Sequence, residues 1–263
     1  MIISDELLKN CGLTITFHKK IKLLDNQPFS EIDLSSIYHL EQRRVINKLK
    51  IDPALKKKLN DDAQYQYYNG AAQQMAVRVA LTSEKNSTLL INLPTGCGKT
   101  LVAHALCLFT PNNKLTLVIV PTIALAIDQG QRVAKLLNKV GQDHGGDYCW
   151  YGSQTKSLHD DIKQRIRDCQ QKILFCSPEA ACQSLLPSLF SASESHGLAN
   201  IVFDEAHLID QWGAEFRPYF QMFSSVVGAL RGASSEGLKC ILMSATFTEK
   251  TIRLLKNLFG EEG

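Results

Sequence analysis

Residues 93–100 decide the fold. They read Leu93-Pro94-Thr95-Gly96-Cys97-Gly98-Lys99-Thr100 and follow an apolar run, residues 88–92, that predicts a buried strand. A glycine-rich turn that opens a helix directs several backbone N–H groups at one point, and the helix dipole adds positive potential there, so a triphosphate is the expected occupant. We expect Lys99 to reach the outer phosphates, the Thr100 hydroxyl to hold Mg²⁺, and the rest of the loop to line the phosphates through Thr95, Gly96, Cys97 and Gly98.

A second motif follows another apolar run. Residues 201–203 (Ile-Val-Phe) predict a buried strand, and Asp204-Glu205-Ala206-His207 comes directly after it. Carboxylates at the end of a neighbouring strand complete a site of nucleotide hydrolysis: Asp204 orients the metal, and Glu205 polarises a water for attack on the γ-phosphate. The strict phosphate-loop pattern begins with glycine, where this chain has Leu93. A chance Gly-Lys-Thr on a surface turn is the alternative, and the order of strand, turn and helix disfavours it.

The chain predicts an α/β fold with a mostly parallel sheet covered by helices on both faces, because short apolar runs alternate with helical patterns from Gln64 onward. The predicted strands are Leu89–Asn92, Leu115–Val120, Tyr148–Tyr151, Ile173–Cys176, Ile201–Phe203 and Cys240–Met243. The predicted helices are Lys99–Phe109, Ala124–Leu137, Leu158–Cys169 and Glu179–Leu185. The polar segment 191–197 is expected to be a surface loop.

Residues 1–63 differ from the rest. They are rich in charge and carry an amphipathic stretch over residues 34–49 at roughly helical spacing, so we expect a small accessory helical region before the domain of residues 64–263. Lysines cluster there, at Lys19, Lys20, Lys22 and then Lys56, Lys57 and Lys58. Such runs are usually solvated surface, and no function is assigned to them.

Composition predicts no partner by itself. The net charge is +3 over 263 residues with acids and bases well mixed, so any nucleic-acid surface must be a local patch. The 8 cysteines show no zinc spacing and lie mostly in apolar runs, which is typical of reduced, buried thiols. No stretch is long and apolar enough to span a membrane, and we expect a cytoplasmic protein, or a nuclear one in a eukaryote.

The order of these motifs along the chain resembles that of the first motor domain of superfamily 2 helicases, and their residues resemble those of the RecQ branch most. Asp204 to His207 has the form of the DEAH box, and residues 208–219 resemble the aromatic-rich loop of RecQ helicases. Three further segments match motifs of the family: Val120 to Gln129, Cys176 to Glu179, and Ser244-Ala245-Thr246. The resemblance covers roughly residues 67–246 and implies a RecA-like phosphate-loop domain that binds ATP and Mg²⁺.

The resemblance also implies residues that contact DNA. Trp212, Phe216 and Arg217 lie in the aromatic-rich loop, which in RecQ helicases couples DNA binding to ATP hydrolysis, and aromatic faces stack on unpaired bases. The alternative is that the aromatic residues are ordinary core side chains on a helix. The positions at which superfamily 2 motors grip the sugar-phosphate backbone are Pro121, Thr122, Ser177 and Glu179, and such contacts recognise structure rather than sequence. The resemblance also places Ser244 and Thr246 among the residues that bind DNA or couple it to hydrolysis. His207 could relay between the γ-phosphate pocket and Ser244 or Thr246, or be a satisfied core histidine.

Adenine selectivity is expected from a glutamine ahead of the loop, because its amide can pair with the donor and acceptor edge of adenine. Gln73 fits the corresponding motif of the family best, and Gln74 is the alternative. Tyr68 is a candidate for stacking on the base.

A working superfamily 2 motor has two RecA-like domains, and the second supplies arginines that can be worth 10³–10⁵ in rate. The segments typical of that second domain do not occur here, so we expect a fragment of a longer helicase or a half-motor completed by another polypeptide. The expected partners are single-stranded DNA or a duplex/single-strand junction, with no membrane. Two alternatives stay open: a non-catalytic nucleic-acid-binding module of a defence or repair complex, and an unrelated phosphate-loop enzyme such as a small-molecule kinase.

Overall fold

The structure is a computed structural model that describes residues 13–15, 21–23, 49–143, 145–211 and 218–260. The chain divides into two compact units, Met1–Asn47 and Lys48–Gly263. In the first unit, β1 (Leu13–Ile15) pairs with β2 (Ile21–Leu23) in an antiparallel hairpin. Of the amphipathic stretch 34–49, for which we predict a helix, only Leu49 lies within the described residues.

The second unit starts ahead of the predicted boundary at Gln64. β3 (Leu49–Lys50) pairs antiparallel with β4 (Tyr67–Tyr68), and α1 (Pro53–Lys58) lies between them along the chain. Leu55 and Leu59 are buried in the same core as the helices that follow. These buried leucines pack residues 49–63 into the core of the second unit.

A five-stranded parallel sheet forms the centre of the second unit. Its strands are β5 (Thr88–Asn92), β6 (Leu115–Ile119), β7 (Ile173–Cys176), β8 (Leu198–Phe203) and β9 (Lys239–Ser244), in the spatial order β5-β9-β8-β6-β7. Because all the pairings are parallel, the carboxyl ends of the strands meet at one edge of the sheet. The phosphate loop follows β5 and the acidic motif follows β8, so both predicted motifs lie at this edge.

Helices cover both faces, as predicted. Successive side chains of β6 alternate between two cores: Leu117 and Ile119 pack on one face and Val118 packs on the other. On the Val118 face, the cover includes α1 together with α2 (Ala71–Thr82), α3 (Thr100–Phe109) and α4 (Ile123–Lys139). On the opposite face it consists of α5 (Lys156–Arg167), α6 (Pro178–Cys182), α7 (Leu186–Glu194), α8 (Leu208–Gln211), α9 (Pro218–Ala233) and α10 (Glu249–Phe259). Burial on both faces explains why the strands read as continuous apolar runs.

Two predicted elements differ from the structure. Residues 148–151 are not a strand but make an isolated bridge, Cys149 to Phe175, beside β7. Two backbone hydrogen bonds join this segment to β7, Trp150 N to Phe175 O and Phe175 N to Tyr148 O, both at 2.8 Å, and the Gln154 amide accepts from Tyr151 N at 3.0 Å and donates to Cys149 O at 2.9 Å. Residues 191–194, predicted to be loop, complete α7, because the Ser193 hydroxyl is buried and donates to Leu230 O.

Candidate nucleotide site

The phosphate loop has the backbone that its glycines predict. Gly96 and Gly98 have φ values of +81° and +80°, a region that L side chains rarely adopt. Leu93, at the place of the first glycine in the strict pattern, is buried and donates from its N–H to Ser244 O at 2.8 Å. That position extends the β5 ladder, so the chain does not need glycine there.

Lys99 and Glu205 meet across the end of β9. Lys99 Nζ lies 2.5 Å from Glu205 Oε1, and the two side chains are only 11% and 27% exposed. The lysine loop and the acidic strand end therefore converge at one point, which is the arrangement that a shared phosphate ligand requires. In this arrangement the Glu205 carboxylate pairs with the Lys99 ammonium group, which phosphate oxygens would otherwise bind.

The acidic turn after β8 is held by the strands on either side of it. Asp204 N donates to Ile119 O at 2.9 Å, and Ala206 N donates to Met243 O at 2.8 Å. Between them Glu205 has a φ of +54°, an uncommon conformation for a residue with a side chain, and such strain clusters at functional sites. Burial raises the pKa of Asp204, the Glu205 carboxylate raises it further, and Lys99 opposes both.

A histidine links the acidic turn to the end of β9. His207 Nδ1 lies 2.8 Å from Ser244 Oγ and 3.3 Å from Glu205 Oε2. Ser244 is fully buried, donates to Thr246 O at 3.0 Å and accepts from Thr246 N at 3.1 Å. His207 therefore contacts Ser244 and Glu205, and Ser244 in turn bonds to Thr246. A buried Ser244 can serve in such a link but cannot touch DNA.

The donor set fits a magnesium ion. Thr100 offers a hydroxyl oxygen and Asp204 a carboxylate, both hard oxygen ligands at the same edge of the sheet. A buried carboxylate with a raised pKa beside a second carboxylate is a place that a cation stabilises. Among the described residues no group of three or more His, Cys, Asp or Glu could hold a metal by itself. Mg²⁺ is usually bound by one or two protein ligands together with phosphate oxygens and waters.

A cavity of about 580 Å³ opens beside the loop. Gln73 lines it, is 4% exposed, donates from Nε2 to Gly98 O at 2.9 Å and accepts from Asn69 N at 2.6 Å. Gln74 is half-buried and does not line the cavity. Of the two candidate glutamines, Gln73 is therefore the one held against the phosphate loop.

Tyr68 is not available for stacking on a base. Its ring is 1% exposed and its hydroxyl donates to Asp52 Oδ2 at 2.9 Å; burial and this bond raise the pKa of Tyr68 to about 12. Tyr67 is 45% exposed and lines the cavity. Neighbouring residues of a strand point to opposite sides, so the two tyrosines of β4 cannot share one environment.

Tyr67→Ala is expected to weaken ATP binding about tenfold, ~1.4 kcal/mol, because an aromatic face is lost from the cavity. Inorganic triphosphate should bind both proteins equally, since it uses the loop alone. Tyr68→Phe is the matched control: it should lower the free energy of unfolding by about 1 kcal/mol through the lost Asp52 hydrogen bond and leave ATP affinity unchanged. Calorimetric titration and thermal denaturation measure both quantities. A Tyr68→Phe protein that loses ATP affinity would contradict the assignment.

The candidate DNA-contacting residues divide into two groups. Thr122 and Ser177 follow β6 and β7, and their hydroxyls cap α4 and α6 by accepting from Leu125 N and Ala180 N. Buried Pro121, half-buried Glu179 and exposed Thr246 lie at the same edge. Trp212, Phe216 and Arg217 lie outside the described residues.

Sequence reasoning missed several residues at the site. Gln129 is buried on α4, and its Nε2 lies 3.5 Å from Thr100 Oγ1. His104 lines the nucleotide cavity one helical turn after Thr100, and burial lowers its pKa to about 4. Gln129 ends the Val120 to Gln129 segment that matches the family, and His104 is a polar residue within the apolar helix α3; these are the signals that the sequence offers.

The family model for the DEAD/DEAH box helicase matches residues 71–255. The chain belongs to the DEAD/DEAH box helicase family. It is 31% identical over 183 residues to ATP-dependent DNA helicase Q4 of Mus musculus, covering 67% of this chain and 14% of that protein. It is 30% identical over 189 residues to ATP-dependent DNA helicase RecQ of Haemophilus influenzae, covering 71% of this chain and 28% of that protein.

A solved structure supports the fold. The DUF1998 helicase MrfA bound to DNA and AMPPNP has a TM-score of 0.60 and 21% sequence identity, over 80% of this chain and 28% of that one. The helicase-family domain is thus the RecA-like α/β fold predicted from the sequence. The described residues contain no helix with the length and apolar character needed to cross a bilayer.

Proposed function

We propose that the helicase-family chain is the nucleotide-binding motor domain of a RecQ-like DNA helicase that uses ATP and moves 3′ to 5′ on single strands. The observation that carries the proposal is the 2.5 Å approach of Lys99 Nζ to Glu205 Oε1 at the carboxyl edge of the sheet. Relatives named as DNA helicases support the choice of DNA, and they are much longer than this chain.

In the proposed reaction each group of the site has one task. Lys99 binds the outer phosphates and offsets negative charge as the γ-phosphoryl group transfers. Glu205 accepts the proton of the attacking water. His207, held by the buried Ser244, orients the Glu205 carboxylate. Thr100 and Asp204 would hold Mg²⁺, which neutralises phosphate charge when bound.

A second RecA-like domain, in the same polypeptide or another, belongs to the proposal. Arginines from such a domain would complete the site, and an arginine finger can be worth 10³–10⁵ in rate. The chain by itself should bind ATP with Mg²⁺ weakly, hydrolyse it slowly and not unwind DNA. Robust DNA-stimulated turnover by the purified chain would contradict this part of the proposal.

ATP and single-stranded DNA are expected to strengthen each other's binding about 5- to 150-fold, as linkage requires for coupled sites. Trp212→Ala should remove this coupling and leave ATP affinity without DNA unchanged, because stacking on bases is its proposed role. Fluorescence titration of ATP with and without oligothymidylate measures both quantities. Tyr67→Ala is the opposite control, since it should weaken ATP binding and keep the coupling.

The same titration separates the alternatives. A DNA affinity that does not change with nucleotide would favour a non-catalytic nucleic-acid-binding module. An ATP affinity that does not change with DNA would favour a phosphate-loop enzyme of another class. Coupling that survives Trp212→Ala would leave the motor assignment in place and reject the aromatic loop as its carrier.

A further inference from the structure

Two buried cations lie at the amino-terminal end of the sheet, away from the phosphate loop. Arg165, in the last turn of α5, is 9% exposed, and Lys172, just before β7, is 1% exposed. Within the described ranges neither side chain forms an ion pair. Lys172 Nζ donates instead to two neutral oxygens, Thr110 O at 2.5 Å and Asn112 Oδ1 at 2.9 Å. Buried charges are normally paired, so this end of the sheet carries uncompensated positive charge.

Arg165 has one edge without partners. Its Nε and Nη2 atoms are buried and have no hydrogen-bond partner in the part of the chain that the structure describes. Its other terminal nitrogen packs against Gly146, where an added Cβ would lie 1.5 Å from Nη1. Nε–H and Nη2–H point in the same direction, and this pair is a fork that binds carboxylate or phosphate oxygens two at a time.

The unpartnered arginine borders a cavity of about 530 Å³, which we call the Arg165 cavity. It is lined by Asn112, Asn113, Asp161, Arg165, Cys169 and Gln170. Three of these carry side-chain amides, which are neutral donors, and Asn112 also accepts from buried Lys172. Asp161 is the single acid in the lining and lies one turn before Arg165, yet the two make no ion pair among the described contacts.

We propose that the Arg165 cavity binds a phosphate group, which the unpartnered guanidinium of Arg165 attracts. A phosphate has enough oxygens to accept from the guanidinium fork and from the amides around it, whereas a carboxylate has two. The group could belong to free phosphate or to a nucleic acid, and the recognition chemistry is the same.

This site is separate from the nucleotide site. Asn112 and Asn113 precede β6, whereas the phosphate loop follows the carboxyl end of β5 in the same parallel sheet. A strand the length of β6 spans roughly 16 Å at about 3.3 Å per residue, so one phosphate cannot serve both sites.

The alkylation rates of two cysteines report the occupancy of each site separately in one sample. Cys169 lines the Arg165 cavity, Cys97 lies in the phosphate loop, and both are partly exposed. The other described cysteines are buried. Alkylation by iodoacetamide, a neutral reagent, is followed at each cysteine by peptide mass spectrometry, in sodium phosphate and in sodium chloride of equal ionic strength. We expect saturating phosphate to slow the labelling of Cys169 about fivefold or more, as occupancy of a nearby site would.

Arg165→Met should remove this protection of Cys169, while ATP continues to slow the labelling of Cys97, which shows that the variant is folded. An oligothymidylate with a 5′-phosphate and the same oligomer without one distinguish the sources. Protection by both indicates a nucleic-acid backbone, protection by the phosphorylated oligomer alone indicates a strand end, and protection by inorganic phosphate alone indicates the free anion. Each of these results supports the site.

Two results would overturn it. One is equal labelling of wild-type Cys169 in phosphate and in chloride, with Cys97 protected by ATP in the same sample. The other is protection of Cys169 that persists in Arg165→Met. The wild-type comparison does not depend on any substitution, so a variant that fails to fold leaves the test decisive.

Discussion

Glu205→Gln is expected to lower ATP turnover by about 10²- to 10³-fold, because the neutral amide cannot accept a proton from the attacking water. ATP should bind at least as tightly as in the wild-type chain. Glu205 Oε1 lies 2.5 Å from Lys99 Nζ, so the carboxylate competes with phosphate oxygens for the same ammonium group. The amide carries no charge and competes less. Single-turnover hydrolysis with the chain in excess measures the first effect, and ATP titration measures the second.

Glu249→Gln is the matched control for this change. Glu249 is 90% exposed and forms a surface ion pair with Arg253 one turn away on α10. Such pairs contribute little, so the same chemical substitution there should change neither turnover nor ATP affinity. If Glu205→Gln kept turnover within about twofold of wild type, Glu205 would not be the base. A fall in ATP affinity would mean that the carboxylate assists nucleotide binding rather than opposing it.

The convergence of the two motifs could be predicted because local rules fix it. Buried parallel strands read as apolar runs, and both motifs directly follow such runs, which places Lys99 and Glu205 at one edge of the sheet. The sequence cannot show which strand separates them. That strand, β9, also brings Ser244 to His207, and the pairing is a property of the sheet order.

The identity of the cavity-lining tyrosine could not be predicted. Tyr67 and Tyr68 are adjacent and chemically equal, and only the pairing of β4 with β3 decides which side chain is buried. The same pairing draws residues 49–63 into the second unit. Three consecutive lysines, Lys56 to Lys58, make this segment read as solvent-exposed in the sequence. The leucines on either side of them, Leu55 and Leu59, nevertheless pack into the core.

The two misassigned segments have a common physical cause. At residues 148–151 and 191–194, side chains supply hydrogen bonds that the apolar and polar patterns of the sequence do not encode. Gln154 satisfies the backbone beside Cys149, and Ser193 bonds to Leu230 O on a different helix. A polar residue in these segments therefore indicates a structural contact rather than exposure.

Gly98→Ala is expected to weaken the binding of inorganic triphosphate about 30-fold or more, ~2 kcal/mol. A Cβ at this position would lie 2.2 Å from Gln73 Nε2, and the backbone has a φ of +80°. The loop must shift to relieve both, and its N–H groups then no longer converge on the phosphates. Triphosphate titration is the measurement, because it excludes any effect on recognition of the base.

Gly141→Ala separates backbone strain from the contact with Gln73. Gly141 has a φ of +66° and no atom within 4 Å of an added Cβ, so its substitution should cost about 1 kcal/mol of stability and no triphosphate affinity. Adding Gln73→Ala to Gly98→Ala removes the closest clash but leaves Asn69 Nδ2 at 2.9 Å and the backbone strain, and should restore part of the lost affinity. Wild-type affinity in Gly98→Ala would contradict the role given to this loop. Lack of any recovery in the double variant would assign the loss to the backbone and to the remaining contact with Asn69, and Gln73 would then not set the position of Gly98.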